Sequence, residues 1–467
     1  MKDLDDSRRI EILGAIAYAA PVAGSWFFYI PMWSILPAIY GKYFGVPMVS
    51  IAAAVLLMRL FDGMVDTVVG YSSDWHKSRG GSRKSWAVIG GLGCIAACSF
   101  LFNPPRHTTV TYYLLASIAF FLAFTIIEIP HLTWGSELAT EYSKRARIYG
   151  IRSLLQRAGI IVFYILPLLP IYPSYDYTPE VLHDAVYIGG LIIVVGLFLM
   201  LRFASAGEAH ERGESETFGA VVSSIIRNRP LQIYFSALAC VGLCCGMWYG
   251  LVYLYLDSYL LLGTRVATMF LVATILAAVS TPGWLAVIGK LGKSNSWAVA
   301  IVLFILQLAI TWFAKPGGGW LLPFIAVVLA NLSFCCYDVA AISILGDIVD
   351  YGRMRFGSDH GTTYFALNLL IFKIGLGVGG GMALGIAGKL GFVPADVMHS
   401  ATAVFGLKLG FILLPACCAV LGVLLVVQLP INRRRHGIIL RRLQSRLTGT
   451  VHTKQLAPLS YNAEREM

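Results

Sequence analysis

The chain is dominated by apolar segments long enough to cross a lipid bilayer. An α-helix needs about 20 mostly apolar residues to span the hydrocarbon core. About twelve segments meet this requirement, and they cover residues 11–40, 48–73, 86–103, 111–139, 147–171, 183–204, 231–260, 265–290, 296–315, 320–347, 363–390 and 403–430. Because a spanning segment must satisfy its own backbone hydrogen bonds, this pattern predicts an all-α polytopic membrane protein.

The composition agrees with this fold class. Only 13% of the 467 residues are charged, against about 25% in soluble proteins, and the mean hydropathy is +0.72. The net charge of +11 does not indicate nucleic acid, because the basic residues lie in short loops and the C-terminal tail. The nine cysteines lie without metal-ligand spacing, mostly in apolar runs, so we interpret them as small hydrophobic residues.

A long polar run divides the predicted spans into two sets of six. We expect an N-terminal bundle over residues 1–204, a linker over 205–230, a C-terminal bundle over 231–430 and a basic tail over 431–467. Two six-span halves joined in this way are the organisation of the major facilitator fold. In that fold the substrate binds near the midplane between the halves.

The distribution of lysine and arginine predicts the orientation. These residues concentrate in the loops after spans two, four and ten and in the tail, which by the positive-inside rule places both termini in the cytoplasm. We expect a multi-pass protein of the cell membrane, most simply a bacterial inner membrane. The tail alternates basic residues with isoleucine and leucine. This suits a helix on anionic headgroups, and a solvated tail that only fixes topology is the alternative.

The second span carries ionisable residues that are rare inside a bilayer. Asp62 and Asp66 lie four residues apart and therefore share one face of a helix, with Arg59 one turn before Asp62. Charges within a span normally face a cavity or a partner. A structural Arg–Asp pair explains one aspartate. Two carboxylates against one arginine leave surplus negative charge, so we favour a cation site in which Arg59 balances part of the charge.

The fourth span offers further oxygen ligands. Thr125 and Glu128 share a helix face and supply a hydroxyl and a carboxylate, which suit a small hard cation. Pro130 leaves a backbone carbonyl one turn earlier without its usual partner, which is another oxygen. We interpret His131 as a satisfied interior histidine rather than a proton relay.

Three basic residues within spans five and eleven need partners. Arg152 and Arg157 offer planar donor forks to a hydroxylated or anionic substrate. Neutralisation of Glu128, or a position near the interface, is the equally weighted alternative for either arginine. Lys373 lies in the middle of span eleven, and the carboxylates of the other half are its expected partners. Such a pair would let the conformational switch respond to cation occupancy.

Charged residues also gather at the predicted cytoplasmic ends of the spans. Asp347 and Asp350 end span ten, while Arg145 and Arg147 follow span four and Asp74 follows span two. Salt bridges between the halves at this level would form an inner gate in an outward-open state. Ordinary surface carboxylates at a helix end are the alternative, and the residues leave this choice open.

Together these residues resemble the glycoside–pentoside–hexuronide:cation symporter family, over nearly the whole chain. Four blocks in order carry the resemblance: Arg59-x-x-Asp62-x-x-x-Asp66-x-x-x-Gly70, Thr125-Ile-Ile-Glu128-Ile-Pro130, Gly346-Asp347-Ile-Val-Asp350-Tyr351-Gly352, and Lys373 followed by glycines and Gly391-Phe-Val-Pro394. The resemblance implies that Asp62, Asp66 and Thr125 line the coupling-cation site. It further implies that Glu128 bridges cation and substrate.

The resemblance also implies substrate contacts, with departures from the family pattern. Arg152 would contact substrate and Lys373 would balance the acidic cluster. Trp26 stands where the family has a sugar-binding aspartate, and Trp134 lies near the position of its aromatic sugar platform, so both are expected in the substrate site. Val65 replaces a cation-site asparagine. Loss of the aspartate acceptor at Trp26 and of this amide weakens the case for a galactoside and for Na⁺.

The sequence thus predicts a secondary active transporter that couples symport of a glycoside, sugar or sugar acid to H⁺ or Na⁺. A cation-coupled carrier of an amphipathic or lysolipid-like substrate is the alternative. A membrane-embedded enzyme or a transport-fold sensor is less favoured, because the nine histidines are scattered mostly in loops. No cofactor other than the coupling cation, no nucleic acid and no metal beyond Na⁺ are expected, and the protein is expected to be a monomer in the lipid bilayer.

Overall fold

A computed structural model describes residues 2–138, 142–205, 218–356, 360–430, 434–439 and 441–442. Within these ranges, twelve helices are long and apolar enough to cross a membrane. This confirms the predicted all-α polytopic fold. Residues 206–217 of the predicted linker lie outside the described ranges, as do Arg145's side chain and most of the predicted tail.

Six long helices form the first six spans: α1 (Lys2–Ser34), α3 (Met48–Ser78), α4 (Arg83–Leu101), α5 (Val110–Glu137), α6 (Tyr142–Ile165) and α7 (Pro179–Phe203). A short helix, α2 (Leu36–Tyr43), follows the first span. Another short helix, α8 (Phe218–Arg227), lies within the predicted linker. The helix α3 extends about one turn beyond the apolar segment predicted for it, so the basic loop after it starts later than expected.

The second six spans follow the same pattern. They are α9 (Arg229–Leu254), α10 (Gly263–Leu291), α11 (Lys293–Phe313), α12 (Leu321–Phe356), α13 (Gly361–Lys389) and the consecutive helices α14 (Ala401–Lys408) and α15 (Leu414–Val427). Single π-turns end α9 at residues 255–259 and join α14 to α15 at residues 409–413. Such irregular turns are frequent at functional sites.

The two halves pack against each other through α3 with α13 and through α6 with α10. The glycines of α13 permit the first contact. A Cβ at Gly381 would lie 3.2 Å from the carbonyl oxygen of Ala52, and one at Gly385 would lie 3.5 Å from the Ala52 Cβ. The glycine run of α13 thus lets the helices of the two halves approach closely.

The halves are sealed at one end of the bundle. We call the end at which α1 begins and α15 ends the terminal end, and the opposite one the loop end. At the loop end Lys42 pairs with Asp257 across the halves at 2.7 Å. Deeper in, Tyr177 packs edge-on against Tyr253 with ring centroids 5.8 Å apart. These cross-half contacts close the loop end of the space between the halves.

Candidate functional site

The two aspartates of α3 and the threonine of α5 form one cluster. The Thr125 hydroxyl lies 3.1 Å from Oδ1 of Asp62 and 3.1 Å from Oδ1 of Asp66. Asp62 and Thr125 are buried, whereas Asp66 is partly exposed. The helical repeat places the two carboxylates one above the other on α3, and α5 packs beside them. The three residues predicted for a cation site are therefore adjacent.

Lys373 completes this cluster from the other half. Its Nζ lies 2.5 Å from Oδ2 of Asp66 and 3.4 Å from Oδ2 of Asp62. Arg59 contributes a second cation, with Nη1 2.7 Å from Oδ2 of Asp62. The four charges therefore cancel. The surplus negative charge expected from α3 alone is thus balanced by the lysine of α13, whose pairing with these carboxylates the sequence predicted. A coupling cation has to compete with Lys373 rather than fill an unbalanced site.

The position of Arg59 depends on a glycine of α13. A Cβ at Gly377 would lie 2.4 Å from Cγ of Arg59, so only glycine leaves room for this side chain. On its other side the guanidinium lies over the ring of Trp33, 3.1 Å from the centroid, a cation–π contact in which the arginine is desolvated. Arg59 is thereby held between α1 and α13, the walls of the two halves.

Glu128 and Arg152 form a separate pair. Arg152 Nη2 lies 2.5 Å from Oε1 of Glu128, and Arg152 is buried. The structure thus brings Arg152 to Glu128, which is the neutralising alternative, and no contact is recorded between Glu128 and the aspartates. His131 is fully enclosed, with its Nε2 2.8 Å from the carbonyl oxygen of Tyr18 and its ring stacked on that tyrosine. This agrees with an interior role for the histidine.

A cavity of about 260 Å³ lies between the halves beside the cluster. Its walls are mainly aromatic, and the aromatic residues that line it are Trp26, Tyr29, Trp33, Tyr164, Trp248, Tyr249, Phe270, Phe334, Tyr337 and Phe372. Polar side chains among the lining residues are Ser34, Gln156, Arg157, Thr274, Asn331 and Asp338. An apolar cavity with a few convergent polar groups is typical of a small-molecule site.

The cavity and the charged cluster share structural elements. Trp33 lines the cavity with one part of its indole and carries Arg59 on its ring. On α13, Phe372 lines the cavity while the next residue, Lys373, contacts the aspartates. The charged cluster and the cavity wall are therefore joined by adjacent residues of α13.

One ion pair crosses the cavity. Nη2 of Arg157, on α6 of the first half, lies 3.4 Å from Oδ2 of Asp338, on α12 of the second half. Both side chains are partly open, with exposed fractions of 30% and 57%. Arg157 was predicted, together with Arg152, as a donor to substrate, whereas Asp338 was not predicted as a site residue. An aspartate in the middle of an apolar span was the signal that could have identified it.

The two tryptophans expected in the substrate site have different places. Trp26 lines the cavity and packs on Tyr29, with ring centroids 4.7 Å apart. Trp134 is fully buried within the first half, edge-on to Tyr18 and His131, and is not among the lining residues. Trp134 packs on Tyr18 of α1, about two turns before Trp26, and therefore lies outside the cavity. Arg152 and Glu128 are likewise outside the lining set.

Three of the residues predicted for a gate at the terminal end, Asp74, Asp347 and Asp350, have contacts within their own half or its tail. Asp347 lies 2.6 Å from Nζ of Lys293, and Asp350 lies 3.1 Å from Nε2 of His436. In the first half, Arg83 pairs with Asp74 at 2.8 Å and with Glu137 at 2.7 Å. A cross-half gate that also uses Arg147 stays a prediction for a conformation closed at this end.

These ion pairs repeat between the halves. Arg83 begins α4 and contacts Glu137 at the end of α5. Lys293 begins α11 and contacts Asp347 near the end of α12. Since α4 and α11 are the third spans of their halves, the two pairs occupy equivalent positions. The two halves thus share an ion pair between the start of the third span and the end of the fourth, and Glu137 was not predicted to take part in it.

A second group of charges closes the loop end. Asp176 and Asp257 approach each other around Gly263, where an added Cβ would lie 2.6 Å from Oδ1 of each aspartate. Lys42 holds the other oxygen of Asp257. Burial, and after it the carboxylate of Asp257, raises the pKa of Asp176 above its ordinary value of 3.8, while the ammonium of Lys42 opposes this shift. Protonated Asp176 therefore favours the sealed arrangement.

Comparisons with known proteins agree with this geometry. The family model described as "MFS/sugar transport protein" matches residues 14–433. The chain is 22% identical to the uncharacterized symporter YnaJ of Bacillus subtilis, covering 95% of this chain and 96% of that protein. It is 22% identical to the glucuronide carrier protein homolog of Escherichia coli, covering 87% and 90% respectively.

Solved structures share the fold. A bacterial homolog of the human lysosomal transporter Spinster, in an inward-facing and unoccupied conformation, superposes with a TM-score of 0.66 at 14% identity. The superposition covers 89% of this chain and 96% of that one. The family match over residues 14–433, together with the twelve candidate spans, makes the chain a multi-pass membrane protein and a secondary transporter of the major facilitator superfamily rather than an enzyme.

Within that class, the chain belongs to the MFS/sugar transport protein family. Its relatives include proteins named as symporters, among them a putative glycoside/cation symporter of Escherichia coli that is 22% identical over 79% of each chain. The resemblance inferred from the four sequence blocks is confirmed at this level.

Proposed function

We propose that this protein is a cation-coupled symporter of a sugar, glycoside or sugar acid, with Asp62, Asp66 and Thr125 as the coupling site. The observation that carries the proposal is the salt bridge between Lys373 and Asp66 beside the aromatic cavity. It joins the two halves at the coupling site. A transporter that alternates between two arrangements of its halves can couple ion binding to that movement through such a pair.

The cluster has a simple coupling mechanism. With both aspartates ionised, Lys373 is attracted to α3 and the two halves are held together at midplane. A cation bound between Asp62 and Asp66 takes the place of the ammonium group, and the cross-half pair is released. Because linkage is reciprocal, a substrate that favours the released arrangement tightens cation binding by the same factor.

The ligand set favours H⁺ as the coupling ion. The Thr125 hydroxyl, 3.1 Å from an oxygen of each aspartate, adds one neutral oxygen to the two carboxylates. A proton binds a single carboxylate oxygen, whereas Na⁺ requires a larger set of oxygen ligands. Val65, at the position of a cation-site asparagine in the resembling family, removes one amide ligand for Na⁺.

The cavity supports a compact hydroxylated substrate. Aromatic rings offer flat apolar faces for a pyranose ring, and Arg157 with Asp338 offers a donor fork and two acceptor oxygens. A volume of about 260 Å³ is near the lower end of ligand cavities, which favours a sugar over a lysolipid. Relatives named for glucuronide and for glycoside transport support the same substrate class.

The proposal also covers the membrane in which the protein lies, its oligomeric state and its orientation. We place the protein in the bacterial inner membrane as a monomer with both termini in the cytoplasm, on the basis of its basic loops. In that orientation the sealed loop end faces outward, so the present arrangement is the inward-facing one.

The test is uptake into proteoliposomes with imposed gradients. Radiolabelled glucuronides and glycosides are presented to the wild-type protein under a proton gradient or a sodium gradient. We expect accumulation driven by one of them. Asp66→Asn, which keeps the shape but removes the charge held by Lys373, should lose gradient-driven accumulation and keep counterflow of substrate.

Asp396→Asn is the matched control, because Asp396 is an exposed loop carboxylate and should leave accumulation unchanged. Unaltered gradient dependence in Asp66→Asn would exclude this cluster as the coupling site. Absence of accumulation in the wild-type protein under both gradients, with counterflow intact, would exclude symport.

A further inference from the structure

The cavity between the halves is polar at one end and aromatic at the other. Arg157 and Asp338 form an ion pair at the polar end, where Gln156 also lines the cavity. The helix α6 runs from the terminal end to the loop end, so Tyr164 lies about 10 Å nearer the sealed loop end than Arg157. The Tyr164 ring packs on Phe270 of the second half, with centroids 5.5 Å apart. These two rings form the aromatic end.

Few hydrogen-bonding groups serve the aromatic end. Ser34 and Asn331 line the cavity on this side, because α1 ends and α12 begins at the loop end. Both donate to the carbonyl oxygen four residues earlier on their own helix, Ser34 to Ile30 and Asn331 to Val327. Hydrogen-bonding capacity for a ligand is therefore concentrated at the polar end.

The walls between the two ends carry preorganised aromatic faces from both halves. In the second half, the rings of Tyr249 and Phe334 are stacked, with centroids 5.4 Å apart and planes 21° apart. In the first half, Trp26 packs on Tyr29 with centroids 4.7 Å apart. All four residues line the cavity. Because each ring is held by another ring, these faces lose little freedom when they bind a flat group.

This division of the cavity distinguishes between possible substrates. One sugar ring at the polar end has a charged donor and a charged acceptor for its hydroxyls. A second sugar ring at the aromatic end would bury several hydroxyls with few partners, and each unpaired hydroxyl costs binding free energy. An aromatic ring has no hydroxyls to satisfy and gains from stacking on the walls.

We propose that the substrate is a glycoside whose non-sugar part, the aglycone, is an aromatic ring. The sugar binds at Gln156, Arg157 and Asp338. The aglycone lies between the Tyr249–Phe334 face of the second half and the Trp26–Tyr29 face of the first. This assignment rests on the proposed function and specifies its substrate class.

The experiment measures the affinity of matched ligands for the purified full-length protein by isothermal titration calorimetry. The ligands are the methyl, cyclohexyl and phenyl β-D-glycosides of glucose, galactose and glucuronic acid, with cellobiose and lactose as two-sugar ligands. Phenyl and cyclohexyl groups bury similar apolar areas, but only phenyl is flat and aromatic. We expect phenyl to bind more tightly than cyclohexyl by about 2- to 12-fold, the gain of an aromatic pair beyond its buried area. The phenyl glycoside should exceed the methyl glycoside by at least about tenfold.

A variant of the aromatic wall locates this preference. Phe334→Leu keeps an apolar side chain but removes a ring from the stacked pair, so the ratio of phenyl to cyclohexyl affinity should fall below about twofold. Phe198→Leu is the matched control, because Phe198 is an exposed residue of α7 outside the cavity. It should keep the wild-type ratio. If Phe334→Leu does not fold, Tyr249→Leu removes the other ring of the pair and gives the same readout.

The outcomes separate this inference from the proposed function. Equal affinity for phenyl and cyclohexyl glycosides in the wild-type protein would overturn the aromatic aglycone, and so would tighter binding of cellobiose or lactose. An unchanged ratio in the wall variant, or an equal fall in Phe198→Leu, would overturn the assigned position. Failure of every glycoside to bind would overturn the proposed function and this inference with it.

Discussion

Replacement of Asp338 by asparagine is expected to weaken substrate binding while leaving the stability of the protein almost unchanged. Asp338 and Arg157 face each other across the cavity at 3.4 Å, with exposed fractions of 57% and 30%. An ion pair that is this open is worth about 0–1 kcal/mol to the folded protein. Its role in holding the halves together is therefore small.

The effect on substrate is larger. A sugar hydroxyl that donates to Asp338 makes a hydrogen bond to a charged group, worth about 1.5–3 kcal/mol. Loss of that charge should raise the dissociation constant, and the KM of uptake, by about 10- to 150-fold. The melting temperature should fall by no more than about 4 °C, the equivalent of roughly 1 kcal/mol or less.

The assay compares substrate affinity and thermal stability in the same preparations. Arg157→Gln, which removes the other member of the pair, should likewise weaken substrate affinity and leave thermal stability almost unchanged. The exchanged variant Arg157→Asp/Asp338→Arg restores the ion pair but inverts its arrangement, so it should regain stability and not affinity. A KM within threefold of wild type in Asp338→Asn, or a recovery of affinity in the exchanged variant, would refute a substrate-contacting role.

Two further predictions concern the coupling cluster and the sealed end. Gly377→Ala places a Cβ 2.4 Å from Cγ of Arg59, so it should displace that guanidinium and change the half-maximal cation concentration at least about tenfold. Gly283→Ala, where the added Cβ meets open space, should leave that concentration unchanged. Equal effects of the two variants would contradict the packing argument. Because the pKa of Asp176 is raised in the sealed form, sealing should strengthen as pH falls from that raised value towards 3.8. The rate at which a thiol reagent labels a cysteine introduced at the loop end measures how tightly that end is sealed. The pH dependence of this rate should vanish in Asp176→Asn. A pH dependence that persists in Asp176→Asn would assign the effect to another group.

The fold and part of the site follow from the sequence because they depend on strong local signals. Twelve apolar segments leave few alternatives to a helical membrane bundle, and two aspartates four residues apart inside a span must share a face. Lys373 was matched to the aspartates because an unpaired ammonium inside a span requires a carboxylate. Each of these inferences rests on a cost that the bilayer imposes.

Other features depended on the rotation and tilt of helices, which the sequence does not specify. Trp134 and Trp26 are both aromatic residues of central spans, yet only Trp26 faces the cavity. Glu128 was grouped with the aspartates by its spacing to Thr125, whereas the structure pairs it with Arg152.

The central claim is that substrate and cation cross the membrane together, and it is tested most directly by driving the cation with the substrate. Proteoliposomes loaded with a pH-sensitive or sodium-sensitive dye receive an outward-to-inward gradient of a transported glycoside at zero membrane potential and with no imposed ion gradient. The account predicts cation entry that follows substrate entry in the wild-type protein and is absent in Asp66→Asn. Substrate entry in the wild-type protein without movement of either H⁺ or Na⁺ would contradict it.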